Sequence, residues 1–105
     1  MPLFLLSHRH PKNYAGTGDT AAAWTAWFEK MGASVVDLGN PVFDRTAVGN
    51  CGPDTDLGGY TLVAADDFDE AVALALGCPL MPDGGGVEIG ELTAVPGRHH
   101  PAREF

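Results

Sequence analysis

The sequence predicts an α+β fold of the ferredoxin-like kind, βαββαβ, with a four-stranded antiparallel sheet, two helices on one face, and a second copy packed sheet to sheet on the other. Three observations predict it. Two segments repeat apolar side chains at the helical period, and each follows a strand-length apolar run. A loop dense in Gly, Asp, Asn and Pro, rather than a helix, joins the two middle strands, which makes them antiparallel neighbours. The strands are apolar on both sides, so two helices can shield only half of the sheet they form.

Residues 2–7 are an apolar run of strand length, ended by the polar "HRHPKNYAGTG". The segment "DTAAAWTAWFEKMG" then sets Trp24, Trp27, Phe28 and Met31 at i, i+3, i+4 and i+7, one face of a helix, with Asp19 as N-cap and Gly32 as the stop. "ASVVDLGNP" reads as a short further turn of helix, broken by Gly39, Asn40 and Pro41. A second strand is expected over residues 43–49, and "NCGPDTDLGG" is the turn-rich loop that follows. The β-branched and aromatic "YTLVAA", residues 60–65, is the third strand.

The acids that come next, Asp66, Asp67, Asp69 and Glu70, raise the question of a catalytic or metal site. Their spacing favours a helix start: Asp67 and Glu70 stand three apart, as in a capping box, directly before an apolar run. Carboxylates in a first turn each gain about 0.3 to 1 kcal/mol from the helix dipole, enough to gather them without chemistry. Phe68, Ala71, Val72 and Ala75 share a face, and Gly77 and Pro79 end the helix. After "DGGG", "VEIGELTAV" is the last strand and "PGRHHPAREF" a polar tail.

The 105 residues suit one domain spanning 1–105, since a chain of this length encloses one core. A hydrophobic share of 45% against 19% charged residues is that of a globular chain. The net charge of −8, with six scattered basic residues, argues against nucleic acid and anionic membranes as partners. "MPLFLL" lacks a basic leader and a cleavage pattern, and no run reaches the roughly 20 apolar residues of a membrane span, so a soluble, cytoplasmic protein is expected. Cys51 and Cys78 fit no metal spacing and read as free thiols.

Leu3 and Leu5 face away from Phe4 and Leu6, and Tyr60, Leu62 and Ala64 face away from Thr61, Val63 and Ala65. Covering an open apolar patch of about 600 Å² contributes on the order of 15 kcal/mol before association costs. A homodimer packed sheet to sheet is the simplest cover.

Several stretches together resemble the YCII-related family of small proteins. They are Trp24, Trp27 and Phe28; "VVDLGNP" with Asp37, Gly39, Asn40 and Pro41; "TAVG"; "GGYTLVAADDFDEAVALALGCP"; and the glycine turn into "VEI" with Glu88. The resemblance covers about residues 22–91 and is most specific over 59–79. It implies ferredoxin-like subunits paired in a dimeric α+β barrel and, in some members, lyase or dehydrochlorinase-like chemistry on small aromatic compounds with a His–Asp pair. Here the first helix holds no histidine and the "GCP" turn no acid, so that pair does not carry over.

Four residues are candidates for chemistry. His8, at the end of the first strand, could act as general acid/base, or be an exposed loop histidine. Asp37 could carry a proton and Asn40 present an amide to a small ligand, or both could hold the turn at Gly39. Tyr60 could position a substrate or serve as a core or interface aromatic. His8 and His10 have the spacing of a metal pair, but no third ligand is near in sequence, and no metal is expected. Cys78, just past a helix C-terminus, has its thiol pKa raised rather than lowered, and "DGGG" lacks the Lys-Ser/Thr of a phosphate loop. No cofactor is expected. The function expected is binding of a small organic molecule, with a cofactor-independent lyase or isomerase step if the protein is an enzyme, and a non-catalytic binding or interaction module as the alternative.

Overall fold

The computed structural model describes residues 1–15 and 18–94, of residues 18 and 19 the backbone only. The elements run β1 (Leu3–Pro11), α1 (Gly18–Met31), β2 (Val35–Asp37), β3 (Thr55–Ala64), α2 (Phe68–Ala75) and β4 (Gly86–Leu92), with short 3₁₀ turns at Gly32–Ser34 and Met81–Asp83. The sheet order is β2-β3-β1-β4 and every neighbouring pair is antiparallel, the βαββαβ topology expected. The tail with His99 and His100 lies outside the described residues, as does the side chain of Asp19, which stands inside the first turn of a helix that begins at Gly18.

β1 runs four residues beyond its expected end at Ser7, because His8 and His10 are strand residues rather than loop residues. Along β1 the buried positions alternate, Phe4, Leu6 and His8, and their register partners on β3 include Val63 and Thr61. Trp27 and Met31 of α1 and Ala71 and Ala75 of α2 close over this face, joined by Cys78 and Leu80. The two helices are tied together where the Trp27 indole N–H donates to the Leu74 carbonyl at 2.9 Å.

Three expectations are corrected. Val35–Asp37 is a strand, not a turn of helix; residues 43–49 are loop, not the second strand; and β3 begins at Thr55, so the second half of "NCGPDTDLGG" is strand rather than loop. Val35 and Val36 are β-branched and find the edge of β3, whereas Phe43 and Val48 stand 83% and 89% exposed with no sheet to join. The topology survives because the strand is displaced along the chain without changing its place in the order. Beyond β2 the chain stays beside β3: Pro41 bridges Gly59, and the Val42 amide donates to the Gly58 carbonyl at 3.1 Å. Gly39 makes that approach possible. Its φ is +76°, and a Cβ there would fall 1.7 Å from the Tyr60 carbonyl oxygen.

The acid cluster is a helix cap. Asp67 Oδ1 accepts from the Glu70 amide at 2.9 Å, and Glu70 Oε2 accepts from the Asp66 amide at 3.3 Å, a capping box whose return bond lands one residue early. The helix closes as the Leu76 amide donates to Val72 and the Cys78 amide to Ala75.

The opposite face of the sheet pairs Leu3 with Ala64 and Leu92, and Leu5 with Leu62 and Gly90. Both helices lie on the other side. Leu3, Leu5, Ala64 and Leu92 are half-buried, and Val36 is 51% exposed.

Candidate active site

β1 delivers His8 and His10 to the helix side of the sheet, two residues and therefore about 6.6 Å apart along the strand. α1 lays Trp24 and Phe28 over them, and the chain after β2 folds back along β3 to form the remaining wall. Between these elements is a cavity of about 740 Å³. Its deep end is His8 with Trp24 and Phe28; its outer part holds Tyr14, His10 and Arg45.

His8 is 5% exposed, and its ring lies 5.0 Å from Trp24 and 5.6 Å from Trp27, centroid to centroid. Burial among these rings lowers its pKa from 6.5 to about 4, so the imidazole is neutral at physiological pH. Its Nε2 is 3.2 Å from the Thr61 hydroxyl, which in turn donates to the Leu38 carbonyl at 3.0 Å.

The outer part is polar and fully connected. His10 Nδ1 lies 3.0 Å from the Pro11 carbonyl, so it is the protonated nitrogen, and Nε2 is left to accept from Arg45 Nη2 at 3.2 Å. Arg45 also donates to the carbonyls of Val42 and Leu57 at 2.9 Å each, which pins the loop on β3. Asp56 receives Lys12 at 2.7 Å and lies 3.7 Å from Arg45 Nη1; the Lys12 hydrogen bond holds its carboxyl below the usual range. Asp56 thus offsets charge that Lys12 and Arg45 bring to this rim. The Tyr14 ring stacks on His10 at 5.4 Å, and its hydroxyl donates to Asp83 at 3.0 Å.

Of the four candidates, the structure brings His8, Asn40 and Tyr60 to the cavity wall, where Asn40 Nδ2 donates to the Tyr60 hydroxyl at 3.3 Å. Asp37 is not part of that wall: its Oδ1 accepts from the Gly39 amide at 2.8 Å, the turn that lets the chain fold back. His8 and Asp37 are therefore not brought to one point. Arg45 and Thr61 were missed by sequence reasoning, which took His10 only as half of a metal pair and Trp24 as part of the helix's apolar face. The alternation of β1 could have placed His10 beside His8; nothing in the sequence marks Arg45 or Thr61. Cys51 and Cys78 are free thiols, and burial pushes the Cys78 thiol up. Among the described residues no group of three or more His, Cys, Asp and Glu is placed to hold a metal, and no helix is long and apolar enough to cross a membrane.

No protein-family model and no curated protein matches the sequence. Among solved structures the chain is similar to 5-chloro-2-hydroxyhydroquinone dehydrochlorinase from Burkholderia phenoliruptrix AC1100 in complex with 2,5-dihydroxybenzoquinone. The TM-score is 0.61 and the identity 19%, over 89% of this chain and 94% of that one. At that identity the likeness shows the fold alone, a ferredoxin-like α+β chain with a four-stranded antiparallel sheet.

Proposed function

We propose that this chain is a YCII-like, cytoplasmic homodimer whose cavity binds a small, flat, oxygen-bearing organic molecule. The observation that carries the proposal is the composition of the cavity wall: aromatic rings from Trp24, Phe28 and Tyr14, a neutral imidazole from the buried His8, and the Arg45 guanidinium paired with Asp56 at the rim. Aromatic walls favour a planar ring through stacking. The imidazole suits a hydroxyl, and the Arg45 guanidinium, an N–H donor, suits a carbonyl oxygen. The neighbouring fold was solved with 2,5-dihydroxybenzoquinone, a ring of this description, which supports the reading without assigning the reaction.

The homodimer rests on the uncovered sheet face of Leu3, Leu5, Ala64, Leu92 and Val36, which a second copy packed sheet to sheet covers. If the bound molecule is turned over, the wall supports cofactor-independent proton transfer of the lyase or isomerase kind, with His8 as proton carrier and Asn40 and Tyr60 orienting the ring. Asp37 would take part only by leaving its turn. That placement favours the second reading, a binding module without catalysis.

The test is a titration of the protein with 2,5-dihydroxybenzoquinone followed by tryptophan fluorescence, since Trp24 forms the wall. Saturable quenching that weakens in Trp24→Ala and Arg45→Ala supports the proposal. Absence of saturation up to millimolar concentration would remove this ligand class.

A further inference from the structure

The Thr61 hydroxyl sits between two fixed partners, the Leu38 carbonyl at 3.0 Å and His8 Nε2 at 3.2 Å. A hydroxyl has one proton to give. The carbonyl can only accept, so that proton goes to Leu38, and the oxygen has only lone pairs left for the imidazole. His8 Nε2 must then carry the ring proton. A neutral imidazole has one N–H, which leaves Nδ1 as a bare lone pair. Among the described residues Nδ1 meets no hydrogen-bond partner, yet no buried side-chain nitrogen or oxygen is left unpaired, and His8 lines the cavity. Nδ1 therefore opens into the cavity.

We infer that Thr61 is a positioning residue: by passing its proton to the Leu38 carbonyl it locks His8 in the Nε2–H tautomer and aims the Nδ1 lone pair at whatever the cavity holds. Thr61 is fully buried and lies across from Leu6 in the sheet register, while Leu38 stands at the start of the chain segment that walls the cavity. The lock thus couples the position of that segment to the orientation of the imidazole. It requires the ligand to offer a hydrogen-bond donor at the deep end, since an acceptor there would face the Nδ1 lone pair. This inference rests on the cavity being the binding site, but the tautomer is a property of the ligand-free protein and is measured without a ligand.

The experiment is ¹⁵N–¹H correlation spectroscopy of the His8 ring, whose nitrogen shifts separate a protonated from an unprotonated ring nitrogen. Wild type and Thr61→Ser are expected to show a single Nε2–H tautomer, because both keep the hydroxyl. Thr61→Val removes the acceptor at near-constant shape, and the tautomer ratio is expected to move at least about tenfold toward Nδ1–H, the change that follows from leaving a buried donor unpaired. An Nδ1–H tautomer in wild type overturns the inference, as does a folded Thr61→Val with an unchanged ratio. Should Thr61→Val fail to fold, wild type and Thr61→Ser decide it: Nε2–H in both supports the lock, and a changed ratio in Thr61→Ser overturns it. Failure of 2,5-dihydroxybenzoquinone to bind a protein that shows the Nε2–H tautomer would count against the ligand class alone.

Discussion

Burying His8 makes the stability of this protein depend on pH in a way that a single substitution should remove. The ring is 5% exposed between Trp24 and Trp27, and desolvation lowers its pKa from 6.5 to about 4. The depressed native value means that the unfolded chain binds the proton more readily. Stability is therefore intact above pH 6.5, falls as pH drops through the interval from 6.5 to about 4, and is constant with respect to this group below that. At 1.36 kcal/mol per pH unit the whole interval is worth about 3 kcal/mol, of which about 2 to 3 kcal/mol is lost between pH 7.5 and 4.5. Carboxylates also titrate in this range, so the informative quantity is the difference from His8→Gln, which keeps an amide donor near Thr61 and has no proton to gain. Urea denaturation of both proteins at pH 7.5 and 4.5 should show the wild type losing about 2 kcal/mol more than the variant. Equal losses, or an NMR titration of His8 with its midpoint near 6.5, would refute the argument that burial controls this residue.

Three further outcomes follow from other parts of the fold. Gly39→Ala forces a Cβ onto the Tyr60 carbonyl at a φ of +76°, so it should lower stability by at least about 2 kcal/mol and speed amide exchange at Val42, whose hydrogen bond to Gly58 depends on the same approach. Asp67→Ala removes the acceptor for the Glu70 amide and should lower stability by about 1 kcal/mol in thermal denaturation; Asp67→Asn should retain most of it. Leu5→Glu places a charge on the sheet face away from the helices. Light scattering at micromolar concentration should report a dimer for the wild type and a monomer with native circular dichroism for the variant, whereas a monomeric wild type would remove the sheet-to-sheet assembly.

The role of the acids after β3 was decided by spacing. Asp67 and Glu70 at three apart, ahead of an apolar run, specify a capping box through bonds that span one turn of chain, and those bonds are present. The helical face of α1 was similarly legible: the 3.6-residue period marked Trp27 and Met31, both buried. The second strand was misplaced for the opposite reason. "VVD" and "FDRTAVG" are both plausible strands by local preference, and what separates them is whether β3 lies alongside, which depends on the turn at Gly39.

The sequence by itself determined what acts over a few residues: the periodic faces of α1 and α2, how α2 is capped, and the apolar character of both sheet faces. Those signals are periodic or capping patterns, and a chain carries them wherever it goes. Only the tertiary structure decided that His8 is buried and neutral, that Asp37 holds a turn while Asn40 and Tyr60 meet at a wall, and that Arg45 lines the same cavity while the buried Thr61 meets the His8 ring. Apart from the Asp37 turn, these depend on contacts between distant residues, such as Arg45 with Leu57, 12 positions apart, and Thr61 with His8, 53 apart. The desolvation and donor pairing that set their chemistry exist only once those distant segments are packed together.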